Sequence, residues 1–207
     1  YCVTDLVYCA DGRERRVGYL YAVGVDERSR SLGLGSALSR EAVRLGKEAG
    51  AELICTSPAE DSLFAWYEKT LGLRRTLRRR RIRLDSRPGI SPEPLTPAEY
   101  GRRREALLAG RPHLRPGAQA LDFQQDCLRL GGGGFFALGA GLAAACAEDG
   151  EALLAELLNA SEEDAASLGA SLGCARTTLL QPSETGERFL AAAEPLAPES
   201  VWSFLFE

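Results

Sequence analysis

Methionine is absent from the chain, and histidine occurs once, as His113 in Arg111-Pro112-His113-Leu114-Arg115-Pro116. A single histidine excludes a multi-histidine metal site and leaves a Ser-His-Asp triad only one candidate base. Lying between prolines, His113 reads as a structural or solvent-facing loop residue. The six cysteines (Cys2, Cys9, Cys55, Cys127, Cys146 and Cys174) form no Cys-x-x-Cys pair. That argues against a zinc site or a disulfide framework and for free thiols in a reducing, cytoplasmic setting. No metal is expected. No Gly-x-x-x-x-Gly-Lys-Ser/Thr run occurs, so a P-loop is excluded. The longest uncharged run, Leu130 to Ala147, is too short and too weakly apolar for a span of about 20 residues. It reads as two adjacent strands, and no signal peptide is visible. The chain starts at Tyr1 without an initiator, which reads as a fragment missing its front. The lack of methionine is either chance or the loss of modified residues, which would shorten some spacings by one.

What is present is unevenly divided. The 207 residues are 45% hydrophobic and 26% charged, which suits one large or two small globular domains. Residues 1–90 carry a net charge of +5 and residues 91–207 a net charge of −9. Between them lies a segment with prolines at 88, 92, 94 and 97. The expected division is a first domain over 1–86, a linker over 87–97 and a second domain over 98–207. The positive half suits a polyanionic ligand.

The most informative stretch lies in that half. An apolar strand expected over Val17 to Val25 runs through a short polar turn into Arg30-Ser31-Leu32-Gly33-Leu34-Gly35 and then into a helix from Ser36 to about Ala49. Glycines without Cβ allow a ligand to press against the backbone. The first turn of a helix offers unpaired N–H groups and the positive end of the helix dipole. Together these make a cradle for pyrophosphate. A dinucleotide fingerprint would need a third glycine at 38, where the chain has Leu38. The plain alternative is a helix that merely follows a glycine turn.

About thirty residues on, a short strand from Ala51 is stopped by Pro58, and a helix follows with apolar residues at 63, 64, 66, 67 and 71 and an end at Gly72. At this point the sequence resembles the GNAT superfamily of acyl-CoA N-acyltransferases. Arg30-Ser31-Leu32-Gly33-Leu34-Gly35 is similar to its Arg/Gln-x-x-Gly-x-Gly/Ala signature. Tyr67-Glu68-Lys69-Thr70-Leu71-Gly72-Leu73 is similar to its Tyr-Glu-Lys-x-Gly-Phe ending, with one extra residue and Leu for Phe. The order of strand, loop, helix, strand, tyrosine helix and strand agrees as well.

The resemblance implies acetyl-CoA as acyl donor. Val23, Gly24 and Val25 would offer backbone groups to the pantetheine arm. Backbone N–H groups of Arg30, Ser31, Leu32, Gly33, Leu34, Gly35 and Ser36 would hold the pyrophosphate. Tyr67 falls where the family often has the tyrosine that protonates the departing thiolate, a role suited to a phenol with a pKa of about 10. The alternative for Tyr67 is a core aromatic. Where many members carry Asn seven residues before the tyrosine, this chain has Glu60. The chain would enter the family fold at its third strand, without the helices that wall the acceptor site. A strand N–H, with Val25 the candidate, would polarise the thioester. For the general base Asp5, Tyr19, Tyr21 and Glu52 stay open.

Seven arginines fall within Arg74 to Arg83. They allow nucleic-acid or phosphate binding, or a plain strand with Leu77 and Ile82 inward and the arginines solvated or paired with the acidic half. No aromatic residues interleave for base stacking. One or two arginines reaching the CoA phosphates is an intermediate reading.

Beyond the linker the expected order is a helix from Pro97 to Ala109, a helix over Ala118 to Leu130, strands over Gly134 to Leu138, Gly141 to Ala147 and Ala152 to Leu158, a helix from Ser161 to Leu172, and strands over Cys174 to Leu180 and Val201 to Phe206. This resembles a second, degenerate GNAT-like domain. Glu162, Glu163 and Asp164 stand where the first half has its glycine loop, so this copy is not expected to bind CoA.

The fold class expected is α/β (α+β): a mixed, mostly antiparallel GNAT sheet flanked by helices, followed by the second such domain. The function expected is acyl transfer from acetyl-CoA to an amine of unknown identity. The rival is a non-catalytic CoA-binding or scaffold protein of the same fold. The expected partner is a small-molecule or peptide amine, with a homodimer admitted and neither membrane nor nucleic acid expected.

Overall fold

A computed structural model describes residues 2–202. Among the described residues, eleven strands form one continuous mixed sheet, with five α-helices packed on its two faces. In chain order the first part runs β1 (Cys2–Ala10), β2 (Arg13–Leu20), a 3-10 turn (Glu27–Ser29), α1 (Leu34–Glu48), β3 (Leu53–Thr56), α2 (Ser62–Leu71) and β4 (Arg75–Asp85). Then follow β5 (Glu93–Leu95), α3 (Pro97–Leu108), β6 (His113–Pro116), α4 (Ala118–Leu130), β7 (Gly134–Leu138), β8 (Gly141–Glu148), β9 (Glu151–Leu158), α5 (Glu162–Ser171), β10 (Arg176–Ser183) and β11 (Glu187–Ala192).

The strands lie in the order β5-β7-β8-β9-β10-β4-β11-β3-β2-β1-β6. All pairs are antiparallel except β2 with β3 and β9 with β10. The order is therefore close to symmetric about the β4–β11 pair. The matching positions are β3 with β10, β2 with β9 and β1 with β8, and each parallel pair is bridged by a helix, α1 or α5.

The halves are interleaved rather than joined end to end. Strand β6, from the second half, pairs with β1 and covers the first half's outer edge. Strand β4, from the first half, pairs along most of its length with β10 of the second. Strand β11 lies on the other side of β4 and reaches β3. The segment between β10 and β11 must therefore cross β4. It does so at Gly186, where a Cβ would stand 2.4 Å from the Arg79 carbonyl oxygen and φ is +109°. Only glycine allows both that approach and that backbone conformation.

Packing explains which residues face where. Tyr8, Val17, Tyr19, Leu53, Leu77, Phe189 and Ala120 of α4 share one cluster on one face. Leu20, Ile54, Phe64, Tyr67 and Ala191 form another, with α1 and α2, on the opposite face. A third cluster joins Tyr100, Leu108, Leu128, Phe135 and Leu142 under α3 and α4. A fourth gathers Leu154, Ala165, Leu168 and Leu179 under α5. Between α3 and β9 sits a buried polar knot. Arg104 Nε bonds the Glu156 carboxylate at 2.9 Å, and the Tyr100 hydroxyl donates to the same carboxylate. Burial pushes the Tyr100 phenol far above its usual range, and the Glu156 charge adds to this.

Several expected elements need correction. Strand β2 ends at Leu20, five residues before Val25, because Ala22 adopts φ +51° and breaks the extended run. The helix after the glycine loop begins at Leu34, two residues before Ser36. The 87–97 linker is not free chain: it contains β5, Arg87 N–H bonds the Ala166 carbonyl at 3.2 Å, and Ser167 donates to the Ile90 carbonyl at 2.9 Å. His113 lies not in a loop but in β6 and is buried. Its Nδ1 stands 2.7 Å from the Arg111 carbonyl and its Nε2 3.1 Å from the Glu105 carboxylate. Of the expected last strand, only Val201 and Trp202 are among the described residues, and Val201 makes a single bridge to His113. Strand β11 had no counterpart in the sequence reading.

Candidate functional site

The parallel pair β2–β3 stays in register from Val17 beside Leu53 to Leu20 beside Thr56, and then the strands part. Parallel strands diverge here because β3 is followed by Ser57-Pro58 and β2 by the left-handed Ala22, a conformation costly for a residue with a Cβ. A cleft of about 1000 Å³ opens at the split. It is lined from β2 by Tyr19 and Leu20, from the following chain by Tyr21, Ala22 and Val23, and from α2 by Phe64 and Tyr67. Strands β4 and β11 complete it with Arg79, Arg81, Glu187 and Phe189.

Tyr67 is buried on α2, and its ring meets Trp66 edge-on at 4.8 Å. Burial raises the phenol above its usual value, while the neighbouring Thr56 hydroxyl draws it back. Thr56 in turn donates to the Leu20 carbonyl at 2.9 Å, tying the two strands together at the point where they separate. Ser57 donates to the Phe189 carbonyl at 2.6 Å and so anchors β11 to the rim.

The arginine-rich strand alternates its side chains between the two faces. Arg79 and Arg81 both bond one Glu187 carboxylate oxygen, at 2.6 and 3.0 Å. Burial pushes the Glu187 carboxyl up, but the two guanidiniums outweigh this and hold it below its usual range. Arg188 bonds Asp61 at 2.7 Å and stands 4.4 Å over the Phe64 ring. Arg80 bonds Gln181 of β10 at 2.9 Å. The arginines are thus largely engaged with the second half of the chain, and Leu77 points into the core.

The glycine loop is next to this cleft but not part of its lining. Gly33 caps α1 with φ +78° and no side-chain bond, and the first amide bonded within the helix is that of Ala37, to the Gly33 carbonyl at 3.0 Å. The amides of Leu34, Gly35 and Ser36 therefore have no partner within the helix, the usual state of a helix start. A Cβ at Gly35 would stand 3.6 Å from Val25 and 3.8 Å from Trp66, ordinary contacts that the protein would tolerate. The chain's own packing does not demand that glycine, whereas a ligand lying on the amides would. Arg30, Ser31, Leu32 and Leu34 are exposed around it.

The matching position in the second half is closed. Ser161 caps α5 by accepting from the Asp164 amide at 3.1 Å, and the Asp164 carboxylate accepts from the Ser161 amide at 2.9 Å. This capping box engages the amides of Ser161 and Asp164, two of those an anion would use. Glu162 and Glu163 add two further negative charges.

Of the residues singled out in the sequence, Val23, Glu60 and Tyr67 line the cleft together, while Gly24, Val25 and residues 30–36 lie outside its lining. Among the candidate bases, Tyr19 and Tyr21 line it. Asp5 is engaged at the start of α4, where its carboxylate accepts from the Gln119 and Ala120 amides at 3.1 and 3.3 Å. Glu52 precedes β3, at the end of the β2–β3 pair away from the cleft. Glu187, Arg188 and Phe189 went unnoticed in the sequence. Their signal was the short apolar run after Gly186, too weak to place beside β3 without the tertiary pairing.

Among the described residues no group of three or more metal-ligating side chains occurs, all six cysteines are unpaired, and no helix is long and apolar enough to cross a membrane. The model of the acetyltransferase (GNAT) family matches residues 5–73. No curated protein matches the sequence. The fold is similar to that of a GCN5-related N-acetyltransferase from Kribbella flavida, with 17% identity and a TM-score of 0.60 over 91% of this chain and 54% of that one. It is similar to Eis1 from Mycobacterium abscessus, with 10% identity and a TM-score of 0.56 over 91% and 59%. It is also similar to Saccharomyces cerevisiae N-myristoyltransferase with bound myristoyl-CoA, with 8% identity and a TM-score of 0.53 over 97% and 67%. The chain spans a little over half the length of the first two. Residues 5–73 thus match the GNAT acetyltransferase family model, and the described chain has the GNAT fold.

Proposed function

We propose that the protein transfers an acyl group, acetyl in the simplest case, from CoA to a primary amine bound in the cleft. One observation carries this reading: an uncapped helix start with a glycine that the protein itself does not require, beside a strand split that holds a buried tyrosine. The Arg30 amide, expected to hold pyrophosphate, instead bonds the Glu27 carbonyl at 3.3 Å, so CoA pyrophosphate would lie on the amides of residues 31–36, with the Arg30 side chain adding charge. The pantetheine arm would follow Val23, Gly24 and Val25 to the split between β2 and β3. No metal is invoked, and a reducing, cytoplasmic setting suits the free thiols.

The neutral amine attacks the thioester carbonyl carbon, and a C–N bond forms as the carbonyl oxygen takes up negative charge. Backbone N–H groups at the end of β2 would stabilise that charge. Collapse breaks the C–S bond, the thiolate takes the Tyr67 proton, and the amine gives up its surplus proton to a base or to solvent. The phenol then recovers a proton from water. Holding both reactants in line supplies much of the rate. Thioester turnover measured with acetyl-CoA and a panel of primary amines tests this. Amine-dependent CoA release is expected. CoA binding without turnover of any amine would return the protein to the non-catalytic reading.

A further inference from the structure

The two faces of the sheet are furnished differently around the end of β2. Leu20 faces α1 and α2 together with Phe64 and Tyr67. Tyr19 faces the other way with Ala120 of α4, and Val3 and Tyr21 pack against them. On this second face lies a cavity of about 570 Å³ whose walls include Val3, Tyr21, Ala120 and Phe123. Tyr21 also lines the cleft, so the two spaces share a wall residue.

The cavity has a fixed frame. The pairing of β1 with β2 slips between Val3 and Leu6, which opens β1 at Thr4 and Asp5. Asp5 then holds α4 in place: its carbonyl accepts from the Gly117 amide at 2.8 Å and its carboxylate from the amides of Gln119 and Ala120. That carboxylate is spent on the helix start. What remains facing the space is mainly apolar. Phe123 is 44% exposed there and meets Tyr21 edge-on at 6.1 Å. A large aromatic left open over a cavity of ligand size is the usual lining of a binding pocket.

We propose that this cavity seats an apolar group, an aromatic ring or a branched aliphatic chain, carried by the acceptor amine. The inference rests on the acyl-transfer reading and deepens it. CoA would approach the split from the α1–α2 face, so an amine attacking the carbonyl must come from the opposite face, past Tyr21. An apolar body one short linker behind the amino group then falls into the space between Tyr21 and Phe123, where a ring gains edge contacts with both.

Calorimetric titration of the CoA-saturated protein with phenethylamine and with ethanolamine tests the proposal. Phenethylamine is expected to bind about tenfold or more tightly than ethanolamine, given the area a phenyl ring removes from water. Phe123→Ser should erase most of that difference, leave CoA affinity unchanged, and raise the KM for phenethylamine with little change in kcat. Phe123 belongs to none of the core clusters, so the variant is expected to fold. Equal binding of the two amines to the CoA complex would overturn the proposal. So would a gain for octanoyl-CoA over acetyl-CoA that Phe123→Ser removes, since the space would then serve the donor. Failure of the protein to bind CoA at all would instead sink the acyl-transfer reading, and this inference with it.

Discussion

The starts of α1 and α5 occupy matching places in two halves of similar strand order, and they are built in opposite ways. Gly33 leads into α1 with no side-chain cap, in a half with a net charge of +5. Ser161 and Asp164 close α5 with a capping box, and Glu162 and Glu163 surround it. A glycine cap gives up only about a few tenths of a kcal/mol relative to a side-chain cap and keeps its amides available. A capped end gains that stability, has fewer amides to offer an anion, and here surrounds them with carboxylates. The difference teaches that strand order alone does not make a cofactor site. On the acyl-transfer reading, the state of one helix start decides it.

The most drastic way to break the comparison is to separate the halves. A fragment of residues 1–97 would lose β6, β10 and β11, leaving the edges of β1, β3 and β4 unpaired. Such edges aggregate. The fragment is expected to be insoluble or to lack a cooperative thermal transition, and a soluble, cooperatively melting fragment would show the halves to be independent.

A single substitution should convert the first helix start towards the second. Gly35→Asp adds bulk and a negative charge beside the free amides and is expected to weaken acetyl-CoA binding by at least about a hundredfold. Calorimetry reads this directly, and an unchanged affinity would remove the phosphate assignment from residues 31–36.

Tyr67→Phe keeps the ring and removes the proton, so kcat should fall about ten- to a thousandfold with little change in the acetyl-CoA Kd. A general acid works only while protonated. Burial raises the Tyr67 pKa, so loss of activity on the alkaline side is expected above the phenol's usual value of about 10. Thr56 acts against that rise. Thr56→Val should therefore move the alkaline limb further up, and a limb moving down would contradict the arrangement.

The smallest effect is expected at the closed end. Asp164→Ala should lower stability by about 1 kcal/mol by opening the capping box. It should confer no CoA binding, because Glu162 and Glu163 remain. Thermal melting and calorimetry together check both parts.

Much of this difference was legible in the chain. The two glycines with Arg30, the tyrosine helix ending at Gly72 and the acids after Ser161 are local signals, and α4 runs from Ala118 to Leu130 as expected. What escaped depends on distant partners. Strand β6 is four residues with Pro116 at one end, and its pairing with β1 lies more than a hundred residues away in sequence. Strand β11 gains its place only by crossing β4 at Gly186, which no local pattern encodes. The early end of β2 rests on one left-handed residue, Ala22, whose type does not announce it. Of the cleft's lining, the sequence singled out Val23, Glu60 and Tyr67, while Glu187 and Phe189 depended on the missed strand.

The most direct test of the account is the stoichiometry and position of the cofactor. Calorimetric titration with acetyl-CoA, joined to a crystal structure of the complex, should give one molecule per chain with its pyrophosphate on the amides of residues 31–36. Two molecules per chain, or one seated at Asn159 to Asp164, would contradict it.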